Sequence, residues 1–600
     1  MNFLPTTIQE AESYYKNFKG FDVIFITGDP YYDHPLNGTA LLARLLDKKG
    51  YNVGIISEPQ TDKDFMKLGK PNYFFCISSG LLDSMLANYT PMLKKREHVH
   101  VPERAVIKYT QTIKKLFKNS ITIIGGVEAT IRRFAHFDYV ENKLRRGILN
   151  DAKADFLVFG NAERTLLNLL DILKKGNALT KGDILEKEHF EDNILLNKQI
   201  MILDGIALRV KKEDLPKEIR HLPSFEEMIA DKNKFNLSAR IQFLLPDDAF
   251  IEQSGKGFIL HNRAVHPLTE EEMDYVYSLK FTRKLHPSTK MFNGINDMLS
   301  GLHNSVILGR GCWGGCYFCV IPLVQGKNIA KRSRKSIVSE IKMLHENGAT
   351  KINDLTMPTL NMYGSYCELY NVPETIYSPV IEKEIIVHNK KQYCNQHCVG
   401  CNYRKLRDDL IPLLEEIQNV GVDLELRSAI RHDIILNQKK LFRKIMEFVK
   451  RLKIAPEHIS NVVLKNMNKS QKKDFDAFLL EFEKVNKEQH TNKRLVPYFV
   501  AGHPGSTMKD MELLKEYCEK NKIFIELTQV FTPTPGTIST AMYYTGENPI
   551  TNEKVYVPRT FREKKDQKNI LLSIHKKPLR ERDNVSKQIG DNVSEDDMLG

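Results

Sequence analysis

The chain has 600 residues, of which 42% are hydrophobic and 27% charged. That composition excludes collagen-like and wholly disordered chains, and the length predicts several domains. Lysine plus arginine exceeds aspartate plus glutamate by 13, a surplus that admits a polyanionic partner without requiring one. No stretch approaches the ~20 apolar residues of a membrane helix, and the start of the chain carries Glu10 and Glu12 with no long apolar core. A cytoplasmic protein without a membrane partner is expected.

Residues 21–175 alternate strand and helix signals. Apolar runs predict strands at 22–27, 52–57, 73–78, 120–125 and 155–159, with helices at 39–49 and 104–118 between them. Such alternation implies a parallel sheet wrapped by helices, here a doubly wound α/β domain over 1–200. Gly38, Gly80, Gly125 and Gly126 fall near strand ends, where such sheets form ligand crevices. Residues 176–200 are polar and read as a loop. Residues 201–300 mix short strands with a helix at 269–280 that starts at Thr269 with Glu270, Glu271 and Glu272 in its first turn, and read as a connector.

From 305 the alternation returns. Strands are predicted at 305–308, 351–356, 422–427, 451–455, 496–500 and 524–530. Helices fit at 336–347, 403–418, 432–450, 471–486 and 507–520, the first capped by Ser336 with Ile337, Ile341 and Leu344 on one face. Six strand–helix units over 301–560 predict a partial (β/α)6 barrel, with chemistry at the C-terminal ends of its strands. A basic, partly disordered tail follows at 561–600.

Nine cysteines carry more information than the charge. Cys76 and Cys518 stand alone in apolar or helical surroundings and read as packing residues. Cys312, Cys316 and Cys319 are spaced C-x3-C-x2-C on a glycine-rich loop after the first barrel strand. Thiolates in a reducing compartment read as metal ligands. Three of them leave one iron of a 4Fe–4S cubane open for activation, whereas a structural zinc closes its tetrahedron. Cys394, Cys398 and Cys401 repeat the spacing, with Cys367 upstream, in an insertion at about 357–402 on the same barrel face. Four thiolates there would close a second iron–sulfur cluster or a zinc site, or stand as ordinary thiols.

The loop Gly309-Arg-Gly-Cys312-Trp-Gly-Gly-Cys316-Tyr-Phe-Cys319 resembles the signature of the radical S-adenosylmethionine (SAM) superfamily. The resemblance implies that Cys312, Cys316 and Cys319 hold a 4Fe–4S cluster that binds SAM and cleaves it reductively to a 5′-deoxyadenosyl radical. It also implies that Phe318 lies near the adenine. Further blocks, among them "GDPYYDHPLNG" (28–38), "PLTEEEMDYVYSLKFTRKLHP" (267–287), "LKIAPEH" (452–458), "GHPGST" (502–507) and "MYYTGENP" (542–549), resemble the YgiQ-like family within that superfamily. One departure is Leu355-Thr-Met-Pro-Thr-Leu-Asn361, which lacks the glycine pair the family carries where SAM methionine is held.

Remaining candidates are weighed against plain structural roles. Arg431, with Ser428, follows the third strand and could clasp the SAM carboxylate, or pack as an ordinary arginine. Gly502 permits backbone approach to ribose or adenine, and His503 could donate a proton; the rival is a tight turn. The N-terminal domain resembles cobalamin-binding domains in strand order. However, Asp33-His34-Pro-Leu-Asn-Gly38 misplaces the aspartate and glycine of their histidine loop, which disfavours cobalamin. The basic runs 331–335 and 562–582 could touch RNA phosphates or simply face solvent. The expectation is a radical SAM enzyme of unknown substrate, served by a low-potential electron donor. Its rivals are an RNA-modifying radical SAM enzyme and a non-catalytic, metal-stabilised RNA-binding protein.

Overall fold

Runs such as Val23-Ile-Phe-Ile-Thr27 and Phe74-Phe-Cys-Ile-Ser78 lack polar alternation, the pattern of strands covered on both faces. In the computed structural model, which describes residues 2–97, 99–176, 194–289, 302–525 and 527–574, both lie inside a large sheet. Its first five strands are parallel, in the order Val53–Ser57, Val23–Thr27, Phe74–Ser78, Ile121–Ile124, Phe156–Val158. Successive residues face opposite sides. Val23 and Phe25 pack with Leu41 and Leu45 of helix Gly38–Lys48, whereas Ile24 and Ile26 pack with Val106 and Tyr109 of helix Ala105–Leu116. This is a doubly wound α/β domain.

The sheet does not stop near residue 200. Strands Ile206–Val210, Gly257–His261, Phe250–Ser254 and Arg220–His221 extend it to nine. The stretch read as a connector is therefore largely part of the first domain. Three of its short strands pair antiparallel at the sheet's end, and Arg220–His221 pairs parallel with Phe250–Ser254. Helix Glu270–Tyr277 has the expected capping box between Thr269 and Glu272. Most of the polar 176–200 loop and most of the basic tail lie outside the described residues.

The second half carries six parallel strand positions in chain order. Ser305–Ile307 pairs with Asp354–Thr356, Lys351–Ile352 with Asp423–Leu424, Ile430 bridges Ile454, and Arg451–Glu457, Arg494–Ala501 and Leu527–Val530 follow. This is the partial (β/α)6 barrel. Three helix details differ from expectation. Ser333, not Ser336, caps helix Arg334–Glu346 by accepting from Ser336 N–H. The 403–418 helix begins only at Leu410, because Arg404–Lys405 pairs with Tyr366–Cys367. The 432–450 helix is divided into His432–Ile435 and Lys439–Phe448.

The insertion after the second barrel strand contains a long hairpin, Tyr370–Ser378 with Lys383–Lys390. Its tip returns to the first domain. Val380 is buried in that domain's core, and Lys49 pairs with Glu382 at 2.6 Å. Buried charges also join the halves. Glu340 accepts from both Arg283 and Arg332, and Arg310 pairs with Glu163 at 2.7 Å. Truncating Glu340 to alanine would strand two buried guanidiniums. A loss of about 3–5 kcal/mol is expected, read from the urea midpoint. A loss below about 1 kcal/mol would mean that water already serves both arginines.

Candidate active site

Gly309–Arg310 and Ala330–Lys331 form a small antiparallel ribbon, from which the cysteine loop projects at the C-terminal end of the first barrel strand. Gly311 has φ +91°, and a Cβ there would lie 2.2 Å from the Asn328 carbonyl. A side chain on Gly314 would come within 2.7 Å of Arg431 Nη1. The loop is fixed by its own contacts. Cys312 N–H donates to Gly326 O (3.1 Å), Trp313 Nε1 to Ser365 Oγ (2.8 Å), and Asn468 Nδ2 to Gly315 O (2.8 Å).

The three thiols share one environment. Cys312 Sγ lies 3.4 Å from Thr359 Oγ1 and 3.8 Å from Met362 Sδ. Arg431 Nη1 donates to Cys316 Sγ at 3.3 Å. Burial pushes the Cys319 thiol well up, and the neighbouring Cys316 and Cys312 add to the shift. Burial likewise raises the Cys312 thiol. Among the described residues no three His, Cys, Asp or Glu side chains close on a single ion. Thiols that hold a cubane stand farther apart than thiols sharing one ion, because four irons lie between them. A soft, all-sulfur donor set on a glycine-rich loop, with a guanidinium beside it to offset anionic charge, fits a cluster of that kind.

Arg431 and Ser428 have other partners than those expected of them. The Arg431 fork is taken by Asp433, with Nε at 3.0 Å and Nη2 at 2.6 Å. Burial opposes its charge, but Asp433 and the thiols hold it firmly protonated. Ser428 Oγ donates to Asp354 (2.6 Å). The segment lacking a glycine pair is locked against the third strand end: Leu360 N–H donates to Ala429 O (3.0 Å), and Asn361 Oδ1 accepts from Arg431 N–H (2.9 Å). Phe318 is half-buried, edge-on to His503 at 6.0 Å. Gly502 N–H donates to Gln567 (2.8 Å). His503 donates from Nδ1 to Pro504 O (2.8 Å) and its Nε2 faces the Ser539 hydroxyl (2.7 Å), so it has no proton to spare.

Sequence reasoning missed Asp433 and Glu457. Glu457 ends the fourth strand with φ +67°, is buried, and lies 3.5 Å from Lys469. Its charge reaches both Cys319 and Arg431. The "LKIAPEH" block contained Glu457, but nothing in spacing announces a left-handed backbone.

The second cysteine group adjoins the first. Cys367 pairs with Arg404 in the short ladder, Cys401 N–H donates to Cys398 O (3.2 Å), and Arg404 Nη2 donates to Cys398 Sγ (3.6 Å). Cys394 lines a cavity of about 460 Å³ with Arg220, Arg240, Tyr393 and His397. Lys327 reaches Gln396 Oε1 (3.1 Å), and burial pushes its ammonium down to about 8 against the pull of Cys398. A Cβ on Gly315 would lie 3.6 Å from Gln396 O, so the two loops touch.

Two other expectations change. Of the basic run 331–335, Lys331 pairs with Glu270 and Asp409, Arg332 is 1% exposed, and Arg334 pairs with Glu416, so most of its charge is already matched. In the tail, Lys564 is fully buried, donating to Tyr139 and Tyr543 hydroxyls at 2.9 and 3.0 Å. Lys564 is therefore no phosphate contact; Lys576 and Lys577 lie outside the described residues. His34 is buried, its Nδ1 accepting from Leu36 N–H and its Nε2 3.1 Å from His303 O, while Asp33 is held by Arg44. Among the described residues no helix is long and apolar enough to cross a membrane.

A family model described as "Radical SAM N-terminal" matches residues 3–298, and a domain of unknown function, DUF3362, matches 526–578. The UPF0313 protein MJ1155 of Methanocaldococcus jannaschii is 37% identical over 596 residues, covering 95% of this chain and 92% of the relative. The UPF0313 protein GSU2873 of Geobacter sulfurreducens is 36% identical, with coverage of 95% and 92%. Among solved structures, the radical SAM methyltransferase TsrM from Kitasatospora setae, with cobalamin and a [4Fe-4S] cluster bound, aligns at TM-score 0.46 and 11% identity, over 86% of this chain and 74% of that one. The cobalamin-dependent SAM radical enzyme OxsB, with aqua-cobalamin bound, aligns at 0.46 and 12%, over 89% and 57%. Both of those structures hold cobalamin.

Proposed function

From the premise that this chain belongs to the UPF0313 family, of YgiQ-like radical SAM character, we propose that it is an enzyme that cleaves SAM reductively at a 4Fe–4S cluster held by Cys312, Cys316 and Cys319. The observation that carries this reading is the gathering of three thiols at the mouth of a parallel barrel, with the Arg431 guanidinium on Cys316. When bound, the cluster would supply one electron to the SAM sulfonium and so give a 5′-deoxyadenosyl radical. This chain's residues do the rest. Arg431, oriented by Asp433, offsets thiolate charge. The Met357–Met362 segment and Trp313 exclude water from one side, and Phe318 offers an apolar edge to a ligand ring. Formation of 5′-deoxyadenosine by the reconstituted, reduced protein under anaerobic conditions tests the reading; no product above the cluster-free control would overturn it.

Cys367, Cys394, Cys398 and Cys401 are proposed as a second sulfur-ligated metal site, with Lys327 and Arg404 as its charge partners. In a protein with Cys312, Cys316 and Cys319 replaced by alanine, about four irons per chain are expected if this site holds a cubane. One zinc and no iron would make it a structural tie, and neither metal would make the thiols ordinary.

A further inference from the structure

Consecutive arginines at the domain junction have opposite fates. Arg132 is clasped by Asp83 at 2.6 and 3.1 Å and also reaches Asp138 at 3.1 Å. Arg133, the next residue, has no hydrogen bond and no carboxylate partner among the described residues. Its guanidinium instead lies over two aromatic rings, 4.1 Å from the centroid of Phe159 and 4.8 Å from that of Phe134. Both phenylalanines are buried, so the partly exposed cation rests on a flat apolar cradle. Burial alone pulls its proton affinity down to about 10.

A second orphan stands beside it. His261 ends the Gly257–His261 strand, is 1% exposed, and has no partner on either ring nitrogen. Its ring centroid is 4.1 Å from that of Phe134. Burial and the charge of Arg133 keep the imidazole neutral, so one nitrogen carries a proton with nothing to receive it. An unpaired N–H in the interior costs free energy, and near it stands a guanidinium that no carboxylate among the described residues holds.

The place is one where ligands bind in sheets of this kind. Phe159 and Gly160 follow the Phe156–Val158 strand at the sheet's carboxyl edge. The facing wall is helix Ile321–Gln325, which follows Cys319: Gly160 lies 4.0 Å from Val324 O at its Cβ position, and Gly536 lies 3.0 Å from Leu323 in the same sense.

We infer that Arg133, cradled by Phe134 and Phe159 and accompanied by His261, is a binding site for an oxyanion, the carboxylate or phosphate group of a ligand seated between the two domains. Arg133 supplies the charge and a planar donor fork, His261 a neutral donor, and the rings the apolar flank for the carbon skeleton next to the anion. The site does not depend on cluster chemistry and is tested without it.

The experiment uses the full chain at low ionic strength, with inorganic phosphate and benzoate as separate probes, in equilibrium dialysis and thermal melting. Wild type is expected to bind one equivalent of at least one probe that Arg133→Gln does not. The affinity loss should be about tenfold or more, with Arg133→Lys intermediate. Phosphate alone would point to a phosphorylated ligand, and benzoate alone to a carboxylate on a flat group. Because the glutamine variant removes an uncompensated charge, it is expected to melt no lower than wild type, and the probe should raise the Tm of wild type only. Equal binding by wild type and Arg133→Gln, or no binding by wild type, would leave water as the only occupant and overturn the inference. So would a large fall in the Tm of the glutamine variant, which would make Arg133 a structural tie.

Discussion

Replacing Cys312, Cys316 and Cys319 together with alanine is expected to abolish 5′-deoxyadenosine formation and the paramagnetic signal that shifts on SAM addition, while leaving the fold intact. The first half follows from chemistry: without thiolates no cluster is held, and the residual rate should fall by at least about 10³-fold, some 4 kcal/mol of barrier. The second half follows from the loop's construction. Its shape is set by the Trp313–Ser365, Asn468–Gly315 and Cys312–Gly326 hydrogen bonds, none of which uses a sulfur atom. Thermal melting of the metal-free proteins checks this, with midpoints expected within a few degrees of each other. A variant that still releases 5′-deoxyadenosine would sink the assignment, and one that unfolds would show that the thiols carry packing.

Acid is expected to unfold the protein well before its carboxylates are neutralised. Burial pushes His34, His432 and His503 down to about 3 and His136 and His458 to about 4, and moves His261 in the same direction. Each ring is neutral when folded but binds a proton below about pH 6.5 when unfolded. Unfolding therefore takes up protons, so stability falls as pH drops from about 6.5 toward 4, by about 1.4 kcal/mol per ring per pH unit. Buried acids oppose this, and burial raises Glu128, Glu457, Asp47, Asp204 and Asp248 among them. Burial raises Glu252 to about 8 and Asp29 to about 6, so each favours the folded state more as pH falls through those values. The rings act through the whole window below about pH 6.5, whereas Asp29 acts only below about 6, so the urea midpoint should fall between about pH 6.5 and 5. An unchanged midpoint across that window would mean that the histidines are protonated in the folded protein.

The parts of the molecule legible in its sequence are those governed by local periodicity. Unbroken apolar runs marked the parallel strands, and Thr269 before three acidic residues announced the helix that begins at Glu270. The loop at 309–319 was readable because cluster ligation needs cysteines at short spacing. Features that depend on distant partners were not readable. That the short strands at 206–261 join the first sheet shows only in their pairing, and the hairpin at 370–390 has exposed residues along much of both strands. Arg431 was read as a clasp for the SAM carboxylate or an ordinary packing arginine, and the carboxylate it faces is Asp433, two positions along the chain. Lys564 looked like one more charge in a basic tail. Only the packing of helix Phe561–Ser573 on the barrel turns it inward.

The hairpin tip that plants Val380 in the first domain's core has a consequence for how the molecule comes apart. A fragment ending near residue 261 would lack both Val380 and the helix Glu270–Tyr277, and would open the apolar face beneath them to water. The barrel freed of its companion would in turn display an uncovered hairpin end. Neither half has a complete interior of its own, so heating should give one sharp endotherm spanning both domains, with no plateau between two meltings.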